Sequence, residues 1–138
     1  MIARGELQTS YKLVIISNQS GIARGKITEA EAEAVHARVI ELFAASGVTF
    51  AGSYYCPHAP DAGCRCRKPA PGMLLDAAAE LGLDLATSVM VGDKVSDLEA
   101  GRAAGCGRVI RFGPDVDEDG AHRFDDWGEL LSALRRDA

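Results

Sequence analysis

Short apolar runs that end in polar or glycine-rich breaks alternate along this chain with segments of helical period. Leu13-Val14-Ile15-Ile16 is wholly apolar and gives way to Ser17-Asn18-Gln19-Ser20-Gly21. That pattern predicts a strand buried on both faces and a polar loop after it. Thr28 with Glu31 fits a capping box, and Val35, Val39, Leu42 and Phe43 then recur at helical spacing as far as Gly47. Gly52 to Tyr55 predicts a weaker strand leading into Cys56, followed by an excursion without regular structure as far as Pro71. Pro71 suits the first position of a helix carrying Met73, Leu74, Ala77, Ala78 and Leu81, with Gly82 as its stop. Ser88-Val89-Met90-Val91 predicts a third strand, ending in Gly92-Asp93. A short helix from Asp97 to Ala104, a strand at Val109-Ile110 with Phe112, and a closing helix from Asp126 through Leu130, Leu131 and Leu134 complete the pattern.

Strands alternating with helices predict an α/β fold, a three-layer arrangement around a parallel sheet, in a single domain over residues 1–138. Ligands of such sheets bind at the carboxyl ends of the strands, so the polar residues after the first and third strands are where chemistry is expected. Composition changes this picture little. The chain is 47% hydrophobic and 25% charged, which predicts an ordered globular protein. Its net charge of −5, with no basic block, argues against nucleic acid as a partner. No apolar run approaches the roughly 18 residues of a membrane span, and Met1 to Glu6 does not read as a signal peptide. The expected compartment is the cytoplasm.

The cysteines add chemistry. Cys56-Pro57-His58 and, five residues on, Cys64-Arg65-Cys66 put three thiols and an imidazole within eleven positions. A Cys3His set in a loop too short to bury its own core is what a structural Zn2+ site needs, with all four ligands from protein and no open position for water. Cys106 lies apart and reads as a small core residue.

Three further segments suit an anion. The Ser17-Asn18-Gln19-Ser20-Gly21 loop offers hydroxyl and amide donors on a flexible backbone. Arg67 can grip a phosphate in bidentate fashion and Lys68 can act as a point charge. Asp93, at the end of a buried strand, is placed to hold a hard cation such as Mg2+. Asp97, one turn on, suits orientation of Lys68 or of the metal's water shell, or serves simply as a helix N-terminal charge.

The order of these segments resembles the second, third and fourth motifs of the HAD superfamily. The strings Ser17-Asn18-Gln19-Ser20-Gly21-Ile22-Ala23-Arg24-Gly25, Tyr55-Cys56-Pro57-His58, Cys64-Arg65-Cys66-Arg67-Lys68-Pro69 and Val91-Gly92-Asp93-Lys94 resemble its heptose-1,7-bisphosphate phosphatases. Ile22-Ala23-Arg24-Gly25 favours that branch over the related histidinol-phosphate phosphatases. The resemblance runs from Leu13 to Arg111. It implies removal of the 7-phosphate of D-glycero-D-manno-heptose 1,7-bisphosphate through an aspartyl-phosphate, with a second Asp protonating the leaving oxygen. Carried over, Ser17 holds a phosphoryl oxygen, Lys68 offsets charge and Asp93 binds Mg2+. Asn18, Gln19, Ser20, Gly21, Arg67 and Lys94 hold a small sugar phosphate, and Cys56, His58, Cys64 and Cys66 hold Zn2+. The full-length enzyme is expected to be a monomer.

One part of that pattern is missing. The family's first motif, an apolar strand ending Asp-x-Asp-Gly, belongs ahead of Ser17, where sixteen residues stand and Met1 to Ser10 contains no Asp. Asp117-Glu118-Asp119-Gly120 matches as text, but it follows Gly113-Pro114 with no apolar strand feeding it and reads as a solvated loop. In the family's fold the missing strand is central, so the strands ending at Ser17 and Asp93 are expected to flank a gap with unpaired backbone groups. The expectation is a reading frame that starts further upstream; the alternative is a catalytically inactive domain that keeps zinc and a phosphosugar.

Overall fold

The computed structural model describes residues 2–5, 11–45, 47–113, 122–124 and 126–136. Its strands are β1 Ile2–Gly5, β2 Tyr11–Asn18, β3 Phe50–Cys56, β4 Leu83–Gly92, β5 Arg108–Phe112 and β6 His122–Phe124. Its helices are α1 Glu29–Ala45, α2 Gly72–Leu81, α3 Val95–Ala104 and α4 Trp127–Arg136. The strands form one sheet in the order β3-β2-β1-β4-β5-β6. β2 and β3, β4 and β5, and β5 and β6 pair in parallel.

The expected central gap is not found as such. β1 enters between β2 and β4 and runs antiparallel to both, with Ile2 opposite Leu13 on one side and Val89 on the other. Two buried strand edges need partners for their N–H and C=O groups, and an extended segment close in sequence supplies them. Five residues separate β1 from β2. A link that short can join antiparallel strands, whereas a parallel pair needs a crossover of about a dozen residues or more. The sheet is therefore parallel except at its centre. β1 reaches only part of the slot, because β2 and β4 run on past Ile2 toward Asn18 and Gly92.

Side chains alternate across the sheet as the pleat requires. Val14, Ile16 and Met90 pack with Cys56, Met73, Leu74, Ala77, Leu83 and Ala100 in a core that takes in α2 and α3. Val89 and Ile110 face the other way, onto Leu130 of α4. The right-handed rule for parallel crossovers puts α1 on that second face. Helices thus cover both faces, and the crossover direction reverses between β2 and β4, the usual place for a ligand crevice.

The capping box that opens α1 is formed: the Glu31 N–H donates to Thr28 Oγ1 at 3.1 Å and the Thr28 N–H to Glu31 Oε1 at 3.3 Å. The helix rests on β3 through His36 Nδ1 and Ser53 Oγ, 2.9 Å apart, and through the rings of His36 and Tyr55. Its apolar stripe is not covered as helical spacing would suggest: Val35, Leu42 and Phe43 stay 59%, 52% and 46% exposed.

Two further differences concern β4 and β6. β4 begins at Leu83, five residues before the predicted start, because Asp84 and Leu83 pair with β1. β6 has no hydrophobic run to announce it. The closing helix stands as predicted, with Leu130 fully buried. Asp117-Glu118-Asp119-Gly120 lies outside the described residues.

Close approach of β4 to the loop before β5 makes one glycine indispensable. A Cβ at Gly107 would sit 2.0 Å from the carbonyl oxygen of Ala86, a backbone atom that cannot swing aside. Gly107→Ala should cost about 1–3 kcal/mol through that overlap, measured as a lowered urea midpoint with the same denaturant slope.

Candidate active site and metal centre

β2 delivers Ser17 and Asn18 to its carboxyl end, and β4 delivers Gly92 and then Asp93 to the same edge. Gln19 Nε2 donates to Ser17 Oγ at 2.9 Å, and the Gln19 N–H donates to the Cys56 carbonyl at 2.7 Å. Ala23 N–H reaches the Pro57 carbonyl at 3.2 Å. The loop after β2 therefore leans on the start of the metal loop.

Lys68 comes into this edge from the irregular stretch before α2. Its ammonium donates to the Ile16 carbonyl at 3.0 Å and pairs with Asp97 Oδ1 at 2.6 Å. Both side chains are nearly withdrawn from water, 10% and 8% exposed, so the pair is little screened. Asp97 has a second task at the start of α3, where its Oδ2 accepts from the Lys94 N–H at 3.2 Å. Both roles weighed for Asp97 from sequence, orienting Lys68 and charging a helix N-terminus, are thus present together. Gly92 is what lets Asp97 come so close: a Cβ there would lie 2.4 Å from Oδ2.

Asn18 does something the sequence did not suggest. Its Oδ1 accepts from the Lys68 N–H at 3.1 Å and its Nδ2 donates to the Lys68 carbonyl at 3.3 Å. Asp93 and Lys94 stand exposed beside this edge. Arg67 is half-buried, and its Nη1 is buried without a hydrogen-bond partner among the described residues. It lines, with Pro60, Gly63, Cys64, Lys68 and Pro69, a cavity of about 230 Å³. Ser20 and Gly21 belong to the turn after β2, where the Ser20 carbonyl accepts from Arg24 N–H and the Gly21 carbonyl from Lys26 N–H.

Next to this edge the four proposed ligands converge. One donor atom from each of Cys56, His58, Cys64 and Cys66 lies within 4.8 Å of all the others. Cys66 and Cys56 sulfurs are 2.9 Å apart, Cys56 and Cys64 3.6 Å, and His58 Nδ1 is 3.1 Å from Cys66 Sγ. Ligands around a tetrahedral Zn2+ stand roughly 3.8 Å from one another for metal–sulfur bonds of about 2.3 Å, so the set fits with slight expansion. The thiols also cannot titrate alike. Burial raises Cys64, but hydrogen bonds from the backbone N–H of Arg67 and from the neighbouring thiols outweigh it and bring the pKa down to about 6. Cys66 is pushed up to about 12 by burial and by the hydrogen bonds and negative charge of Cys56 and Cys64. Thiolates in such proximity call for a cation to hold them together. Cys106 packs against the α2–α3 core, and burial lifts its thiol to about 11, in keeping with a structural residue.

A doubly covered Rossmann-type sheet with a serine loop, a buried lysine and an aspartate at its carboxyl edge defines a HAD-like hydrolase. A model of the HAD-hydrolase-like family matches residues 65–110. The chain is 44% identical over 135 residues to D-glycero-beta-D-manno-heptose-1,7-bisphosphate 7-phosphatase of Pseudomonas aeruginosa, covering 92% of itself and 75% of that protein. It is 46% identical over 119 residues to the Vibrio cholerae protein of the same name, covering 80% of itself and 64% of its relative. Among solved structures it is similar to D,D-heptose 1.7-bisphosphate phosphatase from B. bronchiseptica complexed with magnesium and phosphate. The TM-score is 0.81 at 34% identity, over 92% of this chain and 75% of that one. The chain belongs to the D-glycero-beta-D-manno-heptose-1,7-bisphosphate 7-phosphatase family. It spans between 64% and 75% of the length of these relatives.

Proposed function

We propose that the edge formed by Ser17, Lys68 and Asp93 acts on the 7-phosphate of D-glycero-D-manno-heptose 1,7-bisphosphate, as part of a HAD phosphomonoester hydrolase. The observation that carries this reading is the buried Lys68–Asp97 pair, 2.6 Å long, at the strand ends beside the Ser17 loop. A fixed positive charge in a poorly solvated crevice stabilises the spread-out charge of a phosphoryl group far more than the same charge in water.

In this reading Ser17 Oγ and the N–H groups of the Asn18–Gly21 loop take phosphoryl oxygens, and Lys68 neutralises charge from the buried side. Arg67 offers its unpartnered Nη1 to the substrate, and Lys94 adds a charge at the rim. Asp93 would hold Mg2+, which supplies charge neutralisation at the phosphoryl oxygens. Cys56, His58, Cys64 and Cys66 would hold a structural Zn2+ whose work is to shape the loop that presents Arg67 and Lys68. The setting we propose is the cytoplasm, where thiols stay reduced.

The residues ahead of Ser17 supply no Asp-x-Asp pair, and β1 stands in the centre of the sheet as Ile-Ala-Arg-Gly. That favours, for the 138-residue chain by itself, binding without turnover. Titration calorimetry with D-glycero-D-manno-heptose 1,7-bisphosphate and Mg2+ tests the substrate assignment. Heat of binding that histidinol phosphate does not reproduce is the expected result; equal binding of both, or none of either, would count against it.

A further inference from the structure

We infer that Asn18 is a positioning residue for Lys68: its side-chain amide clamps the Lys68 peptide to the end of β2 and so aims the ammonium into the site. Lysine has a four-carbon stem with many rotamers, and Lys68 sits in a stretch without regular structure, so something outside the side chain must fix where that stem begins. Asn18 supplies both halves of a strand-like pairing, accepting from the Lys68 N–H at 3.1 Å and donating to the Lys68 carbonyl at 3.3 Å across 50 residues of sequence. Asn18 itself is the last residue of β2, whose neighbour Gln19 is pinned to β3 through the Cys56 carbonyl. The clamp is thus anchored in the sheet. From it the Lys68 stem reaches back to the carbonyl of Ile16, two residues before Asn18 on the same strand, and across to Asp97 on α3. A role as a side-chain ligand of the substrate fits less well, since the Asn18 carbonyl oxygen and one amide hydrogen are already engaged by Lys68.

The functional meaning of this clamp rests on the reading of Lys68 given above, but its existence can be tested without turnover. Competitive labelling with an amine reagent, read by mass spectrometry, compares Lys68 with Lys12, Lys26 and Lys94 in one sample. In the unaltered chain Lys68 should label most slowly. Asn18→Ala should speed Lys68 alone, on the order of tenfold, as its protecting contacts open. Asn18→Asp, which keeps an acceptor for the Lys68 N–H and loses the donor, should give a smaller rise and serves if the alanine variant does not fold. An unchanged Lys68 rate in a folded variant would overturn the inference. So would a rise shared by all four lysines in both variants, since that is general loosening. Inorganic phosphate added to the unaltered chain should slow Lys68 further; if it does not, the phosphate-site reading fails while the clamp still stands or falls on the variants.

Discussion

Lys68→Met should lower the free energy of unfolding by about 3–5 kcal/mol, the usual loss when one partner of a buried ion pair is removed. The reason is Asp97. Its carboxylate is 8% exposed and pairs with the Lys68 ammonium at 2.6 Å, and its other oxygen is committed to the Lys94 N–H. With methionine at position 68 the carboxylate keeps its burial and loses its counter-charge, and the Ile16 carbonyl loses a donor. The double change Lys68→Met with Asp97→Asn should recover much of the loss, because no uncompensated charge remains. Urea unfolding of the two variants beside the unaltered chain measures this. Equal losses for the single and double variants would mean that the pair is not what stabilises this edge.

Under the Zn2+ assignment proposed above, removing the metal from the Cys56–Cys66 loop should have the other large effect. A ligand that binds the folded chain alone stabilises it by about 4 kcal/mol when free at a thousandfold excess over its dissociation constant. A chelator should therefore lower the melting temperature by several degrees, and added Zn2+ should restore it. Cys56→Ser should reproduce the loss and abolish the response to Zn2+. Cys56 is the sharpest choice, since it is fully buried and its carbonyl also receives the Gln19 N–H at 2.7 Å. Because that bond ties the metal loop to the Ser17 loop, the chelated protein should also bind inorganic phosphate more weakly. A melting temperature indifferent to chelator and to Zn2+ would show that the four side chains do not hold a metal.

Much of this architecture is legible in the order of residues, for a physical reason. β2, β4 and β5 each carry a short apolar run where the sheet is buried, at Leu13–Ile16, Val89–Val91 and Val109–Ile110, and α1, α2 and α4 announce themselves by a cap, a stop or a helical period. The candidate site was picked out because residues of particular chemistry stand at strand ends: Ser17 near the end of β2, Asp93 just after β4, and Lys68 just past the thiols. What stayed hidden depends on contacts distant in sequence. Ile2–Gly5 has no strand-like pattern and becomes one only because two strand edges need partners. The exposed stripe of Val35, Leu42 and Phe43 shows that helical period reports a helix, not what covers it. Asn18 looked like one more donor in a polar loop; its partner lies 50 residues away, and no local signal marks it. The buried orphan nitrogen of Arg67 was likewise visible only once the loop was folded.

The most direct measurement is phosphate release from D-glycero-D-manno-heptose 1,7-bisphosphate with Mg2+, run on the 138-residue chain and on a chain lengthened upstream by an apolar strand ending in Asp-x-Asp-Gly. The expected result is turnover by the lengthened chain alone, with loss of that turnover when Lys68 or Asp93 is replaced. Turnover by the 138-residue chain itself would contradict the account, and would turn attention to Asp117 and Asp119 as the carboxylates in use.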